Sequence, residues 1–142
     1  MPSAVLDSTI LVSAFLTPGG AADAVLQYGT SDRFLCCLSE EIIAETAQRL
    51  LSPRLQERYV YAAADVHAFA AILRAAFLIV SNLPPLTGIV RDPNDDMILA
   101  CAVAASASYV VTRDLDLLTL GTYGETAIIT PETFLALLRA RQ

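Results

Sequence analysis

The chain has 142 residues, of which 55% are hydrophobic and 17% charged, with a formal net charge of −6. This length predicts a single domain over residues 1–142. The acidic balance argues against general electrostatic binding of nucleic acid, which is typical of basic domains.

The apolar segments fit buried elements better than a membrane span or a secretory signal. The longest uncharged stretch, residues 97–112, is shorter than the roughly 20 residues that cross a bilayer, so we expect no membrane association. The first segment lacks a basic leader and carries Asp7 inside its apolar run, so we interpret it as part of the mature fold. Cys36, Cys37 and Cys101 lie in predicted core segments, which indicates free buried thiols in a reducing, cytoplasmic environment.

The first half of the chain begins as a strand. Residues 4–15 start as an apolar strand that presents Asp7 near its carboxyl end and lead toward a helix over residues 21–30. Residues 33–39 predict a second buried strand, and its last residue, Ser39, is suited to cap the helix that follows over residues 40–52. A long helix or a helical pair is then predicted from Leu55 to about Phe77.

The second half continues the alternation. Residues 77–82, 108–114 and 127–131 predict strands, whereas residues 92–107 and 131–142 predict helices. Strands that alternate with helices favour an α/β fold with a mostly parallel sheet of about four or five strands and right-handed crossovers.

Acidic residues are expected to meet at one edge of this sheet, because the functional crevice of a parallel α/β sheet lies beyond the carboxyl ends of its strands. Asp7 and Asp114 follow strands, Asp96 lies in a first helical turn, and Glu45 lies early in the helix after the second strand. Carboxylates without cations repel one another, so their convergence favours a hard cation such as Mg²⁺ or Mn²⁺. Such a site can activate water and stabilise the oxygens of a phosphodiester.

Each acid taken alone has an ordinary structural explanation. Glu45 could be a solvated helix position, residues 92–96 a cluster at a helix start, and Asp114 with Asp116 a turn. The combination favours a site, because an acid near the end of an apolar strand is costly to bury without a partner. The negative net charge is compatible with a nuclease, since a bound metal ion reverses the sign of the charge at an acidic site. The single histidine, His67, offers no competing triad or zinc site.

Four segments also carry a family resemblance: VLDSTILVSAFL, SEEIIAETAQRLL, DPNDDMILACAVAASASYVVTRDLDLL and IITPETFLALL. In order and spacing they resemble the PIN-domain nucleases, particularly the toxin components of bacterial toxin–antitoxin pairs. The match spans nearly the whole chain, and its most specific part runs from Asp96 to Thr112 and Asp114. The resemblance implies a three-layer α/β/α sandwich and an endoribonuclease that depends on Mg²⁺ or Mn²⁺.

The resemblance also implies roles for individual residues. The predicted metal ligands, which would orient the attacking water, are Asp7, Glu45, Asp96 and Asp114. Thr112 would donate a hydrogen bond within the site, and Asp116 could assist or replace Asp114. Asp92 and Asp95 flank the site, and the spacing to the small residue Ala100 favours Asp96 while leaving Asp95 open.

At the first motif the sequence departs from the family pattern. Ser8 and Thr9 stand where Thr and Asn are usual, so Thr9 keeps a hydroxyl and loses an amide. Arg91 and Arg113 adjoin motif acids, where each could contact phosphate or pair with a neighbouring carboxylate.

The resemblance further implies an RNA substrate, a cognate antitoxin that blocks the site, and a homodimer. One alternative is a catalytically silent PIN-like binding module that acts through a partner. The other is a haloacid-dehalogenase-like phosphatase, whose motif requires a second aspartate where this chain has Thr9.

Overall fold

The computed structural model describes residues 1–141 and confirms the predicted α/β alternation. The strands are β1 (Ser3–Leu6), β2 (Leu35–Leu38), β3 (Leu78–Ile79), β4 (Tyr109–Val111), β5 (Thr122–Tyr123) and β6 (Thr126–Ile129). The helices are α1 (Ser8–Leu16), α2 (Ala21–Thr30), α3 (Glu40–Leu50), α4 (Pro53–Tyr59), α5 (Ala63–Ala76), α6 (Pro93–Ala105), α7 (Leu115–Leu120) and α8 (Pro131–Ala140).

The strands form one sheet of six in the order β3-β2-β1-β4-β6-β5, in which only the β5–β6 pair is antiparallel. The strand beyond the four or five expected is β5, a two-residue edge strand. From β1 the chain moves outward through β2 and β3, and β4 then returns to the other side of β1. The strand order therefore reverses between β1 and β4, which is where α/β sheets form their functional crevice.

The centre of the sheet is covered on both faces. Ala4, Val5 and Leu6 of β1 are all fully buried, although alternate side chains of a strand point to opposite faces. Burial of both sets requires helices on each side, which gives the three-layer sandwich implied by the resemblance. On one side α2 packs against α8, where Phe34 meets Phe134 edge to face at 4.8 Å.

Two short helices were not predicted, and both begin at site acids. Asp7 caps α1 by accepting a hydrogen bond from the Ile10 amide, and Asp114 caps α7 by accepting one from the Asp116 amide. The sequence of α1 is apolar on nearly every side because the helix is largely buried, so it lacks the amphipathic period that reveals a surface helix. The predicted helical region after Leu55 is a pair, α4 and α5, separated at Val60, which has a positive φ of 53°.

Within residues 1–141, no single helix is long and apolar enough to cross a membrane. Helices α1 and α2 satisfy the length and composition criteria only as a pair, and the chain bends by 102° between them. The three cysteines are buried and free of disulfides, as their sequence context predicted.

Candidate active site

Asp7 lies directly after β1 at the point where the strand order reverses. Its carboxylate is buried and accepts hydrogen bonds from Thr9 Oγ1 at 2.6 Å, Thr112 Oγ1 at 2.5 Å and the Ile10 amide at 3.2 Å. Burial, and to a smaller extent the negative charge of Asp114, raise the pKa of Asp7 to about 6, although the three hydrogen bonds oppose this shift. Asp7 is therefore held in one orientation in an environment that disfavours its charge.

The two threonines around Asp7 also hold the segment that follows β4. Thr112 Oγ1 accepts a hydrogen bond from the Asp114 amide at 2.9 Å, and Thr9 Oγ1 accepts one from the Arg113 amide at 3.2 Å. Each hydroxyl thus donates to Asp7 and accepts from the neighbouring loop. The hydroxyl that Thr9 retains in place of the usual amide still makes a hydrogen bond to the first aspartate.

Three further carboxylates form a cluster on the same edge of the sheet. Ligand oxygens of Asp95, Asp114 and Asp116 all lie within 4.8 Å of one another. Asp95 is buried, and its pKa is raised to about 7 by desolvation and then by the charges of Asp114, Asp92 and Asp7. Thr112 Oγ1, which donates to Asp7 and accepts from the Asp114 amide, places Asp7 beside this cluster.

The cluster fits a divalent cation. Asp95 Oδ2 is buried, and no donor among the described residues hydrogen-bonds to it. A buried, unpaired carboxylate oxygen is costly unless a cation or donor satisfies it. The donors are carboxylate oxygens alone, which is the chemistry preferred by Mg²⁺ and Mn²⁺.

The structure brings Asp95, and not Asp96, into this cluster. Asp96 is also buried, but its Oδ1 accepts a hydrogen bond from the Val90 amide at 2.7 Å and so anchors the loop before α6. Consecutive helical residues point about 100° apart, so one of the two side chains faces the crevice and the other faces the loop. The spacing to Ala100 does not predict which of the two acids faces the crevice, because the loop that Asp96 holds is not part of the motif.

Glu45 and Asp92 lie outside the cluster of close carboxylates. Glu45 is half-buried on α3, one helical turn before Arg49, whose Nη1 donates to Ser8 Oγ at 3.0 Å. This contact puts that face of α3 next to the residue that follows Asp7. Asp92 caps α6 by accepting a hydrogen bond from the Asn94 amide at 2.9 Å.

Both arginines predicted near the site are paired with carboxylates. Arg91 Nη2 lies 3.0 and 3.1 Å from the two carboxylate oxygens of Asp116. Arg113 is bound to Glu132 by two contacts, the shorter 2.6 Å long, and this pairing lowers the pKa of Glu132. Arg49 was missed by sequence reasoning, although its position four residues after Glu45 puts both on one helical face.

A family model for the PIN domain matches residues 3–116, which include every acid of the cluster. The chain belongs to the PIN-domain family. Because the match covers most of this PIN domain, the resemblance inferred from its motifs is confirmed at the family level. A comparison with curated proteins gives no match.

Solved structures of similar fold accompany the family match. VapBC2 from Rickettsia felis, bound to a DNA fragment from its promoter, is 16% identical, with a TM-score of 0.60 over 90% of this PIN domain and 98% of that chain. VapC20 from Mycobacterium tuberculosis, a toxin that cleaves the sarcin–ricin loop, is 14% identical, with a TM-score of 0.56 over 87% and 98%. FitAcB from Neisseria gonorrhoeae is 17% identical, with a TM-score of 0.55 over 91% and 98%. At these identities the likeness establishes the fold alone.

Proposed function

We propose that this PIN domain is an endoribonuclease that uses Mg²⁺ or Mn²⁺ to hydrolyse RNA phosphodiesters. The observation that carries the proposal is the buried, unpaired Oδ2 of Asp95 within a cluster that includes Asp114 and Asp116 and adjoins Asp7. A crevice that gathers several carboxylates, of which Asp7 and Asp95 have raised pKa values, is typical of a metal-dependent active site.

The residues that would hold the cation are Asp7, Asp95 and Asp114, with Asp116 at the rim. Bound there, the cation would lower the pKa of water and stabilise charge on the phosphodiester oxygens. Thr9 and Thr112 fix the Asp7 carboxylate through their hydroxyls, so its orientation does not depend on the ligand. Glu45 is proposed as a further carboxylate that approaches from α3, and Asp96 is assigned to the loop that borders the site.

The biological setting proposed is that of a toxin in a toxin–antitoxin pair. Its support is the family together with the fold shared with VapBC2 and VapC20. We accordingly propose a cytoplasmic homodimer with a cognate antitoxin that covers the site, and RNA as substrate.

The test is cleavage of structured and single-stranded RNA by the purified chain with Mg²⁺, with Mn²⁺ and with EDTA. We expect cleavage only with a divalent cation, and at least a hundredfold loss in Asp95→Asn and in Asp114→Asn. A matched control is Asp32→Asn, because Asp32 is exposed, remote from the cluster and has a positive φ that asparagine tolerates.

Cleavage that persists in EDTA, or that survives both substitutions, would contradict the proposed site. Cation binding without cleavage of any RNA would instead favour the silent binding module.

A further inference from the structure

Some arginines of this acidic chain form ion pairs and others do not. Arg74, Arg91 and Arg113 are in ion pairs with Glu40, Asp116 and Glu132. Within the part of the chain that the structure describes, no ion pair involves the three arginines that lie close together at the end of α3 and on α4: Arg49, Arg54 and Arg58. Glu57 is the one acid between them. This segment is therefore a local positive strip on a chain whose net charge is −6.

Arg49 of this strip lines a groove that shares Thr9 with the candidate active site. The groove has a volume of about 330 Å³ and lies between α1, the end of α3 and α4. We call it the Arg49 groove, and its main lining residues are Thr9, Ser13, Leu16, Arg49, Leu55 and Tyr59. Thr9 Oγ1 donates to the Asp7 carboxylate, so the groove and the site meet at Thr9.

Its walls carry the groups that recognise a nucleotide. Arg49 is exposed, and its Nη1 donates to a neutral hydroxyl, Ser8 Oγ, so its charge is available to a phosphate. Tyr59 has 42% of its surface exposed, with the Arg58 guanidinium 5.5 Å from its ring centroid. An exposed ring beside a guanidinium suits a base stacked next to a phosphate. The apolar side chains of Leu16 and Leu55 complete a surface on which a base can lie.

We propose that the Arg49 groove binds the nucleotide of a single-stranded RNA next to the phosphodiester that is cleaved, with Arg49 on a phosphate and Tyr59 on a base. The inference rests on the proposed ribonuclease function, because it gives the substrate a path into that site. It also explains how an acidic chain attracts RNA: the positive strip supplies attraction where the paired arginines near the cluster do not.

The test measures RNA binding in EDTA, where neither the cation nor cleavage contributes. The anisotropy of a short labelled single-stranded RNA is followed over a range of salt concentrations. We expect Arg49→Gln to raise Kd about tenfold and to lower the slope of log Kd against log salt by about 0.7, the value for one phosphate contact. Tyr59→Leu should raise Kd at least fivefold through lost stacking, with little change in slope.

Two controls separate this role from a structural one. Arg74→Gln removes an exposed arginine outside the groove and should change Kd less than twofold. Ser8→Ala removes the partner of Arg49 while keeping its charge, so RNA binding should persist. The proposal is overturned if Arg49→Gln and Tyr59→Leu bind RNA as Arg74→Gln does. It is equally overturned if they lose only capture of the co-expressed antitoxin, since the groove would then be a protein site.

The outcome is separable from that of the proposed function. Divalent-dependent cleavage that is indifferent to Arg49 and Tyr59 would leave the ribonuclease proposal standing and remove the groove. If the chain cleaves no RNA but binds it in a way that depends on both residues, the groove proposal stands and the ribonuclease proposal falls.

Discussion

Thr112 and Asp7, which are 105 residues apart in the chain, are joined by a hydrogen bond of 2.5 Å between Thr112 Oγ1 and Asp7 Oδ2. The bond connects the carboxyl ends of β1 and β4, the two strands between which the strand order reverses. Since Thr112 Oγ1 also accepts from the Asp114 amide, one hydroxyl aligns two acids of the site.

Thr112→Val should therefore damage both stability and activity. The isosteric change leaves the buried Asp7 carboxylate without one donor and the Asp114 amide without its acceptor, at a cost of about 1–3 kcal/mol in the free energy of unfolding. We expect divalent-dependent cleavage to fall at least tenfold. Urea unfolding and cleavage rates measure the two effects, and Thr112→Ser, which keeps the hydroxyl, should retain most of both. Equal losses in the serine variant would show that the methyl packing of Thr112, and not its hydroxyl, matters.

Asp95→Asn and Asp96→Asn should separate the two neighbouring acids. Asp95→Asn removes a buried charge that faces Asp7 and Asp114, so the cation-free protein should gain about 1 kcal/mol at pH 8 while losing its stabilisation by Mn²⁺. Asp96→Asn keeps an oxygen to accept from the Val90 amide and should retain that stabilisation. Thermal unfolding with and without Mn²⁺ gives both the stability of the cation-free protein and its stabilisation by Mn²⁺. The opposite pattern would make Asp96 the ligand, as the motif spacing suggested.

The stability of the cation-free protein should fall as pH rises from 5 to 8. The folded-state pKa values of Asp7 and Asp95, about 6 and about 7, lie above the ordinary aspartate pKa of 3.8, so the folded chain binds protons more tightly than the unfolded chain. The stabilisation is complete below the unfolded pKa and is lost as pH passes through 6 and 7, a loss of at most about 4 kcal/mol between pH 5 and pH 8. Denaturant unfolding across this range tests the sign. Saturating Mn²⁺ should reduce the change in the free energy of unfolding with pH, because the cation takes the place of the protons. A stability that rises between pH 5 and pH 7 would contradict the proposed burial of both acids.

Arg91→Gln should tighten cation binding. The guanidinium pairs with Asp116, an acid of the cluster, and its positive charge competes with a cation for that carboxylate. Since Arg91 is exposed, the free energy of unfolding should hardly change. Titration calorimetry with Mn²⁺ should give a Kd lowered by about threefold, as expected for the loss of one nearby charge. The matched control is Arg113→Gln, because Arg113 pairs with Glu132, which is not in the cluster. Its Kd for Mn²⁺ should be closer to that of the parent chain.

Local patterns were sufficient for most elements, although not for α1, α7 and β5, and for the expected placement of Asp7 and Asp114. The helix over α3 followed from Ser39, whose hydroxyl does accept from the Ile42 amide, and from the acids of its first turn. Asp7 and Asp114 could be placed at the sheet edge because each follows an apolar strand. These inferences depend on residues within a few positions of one another, where periodicity and capping act.

The amino-acid sequence by itself determined the α/β alternation, the PIN-domain motifs and the candidate acids. The tertiary structure alone decided which of Asp95 and Asp96 faces the cluster, and that Arg49 lies against Ser8, 41 residues away. It also put β4 beside β1, which brings Thr112 to Asp7. Such contacts depend on the order of the strands in the sheet and on the rotation of each helix about its axis. A local pattern along the chain specifies neither.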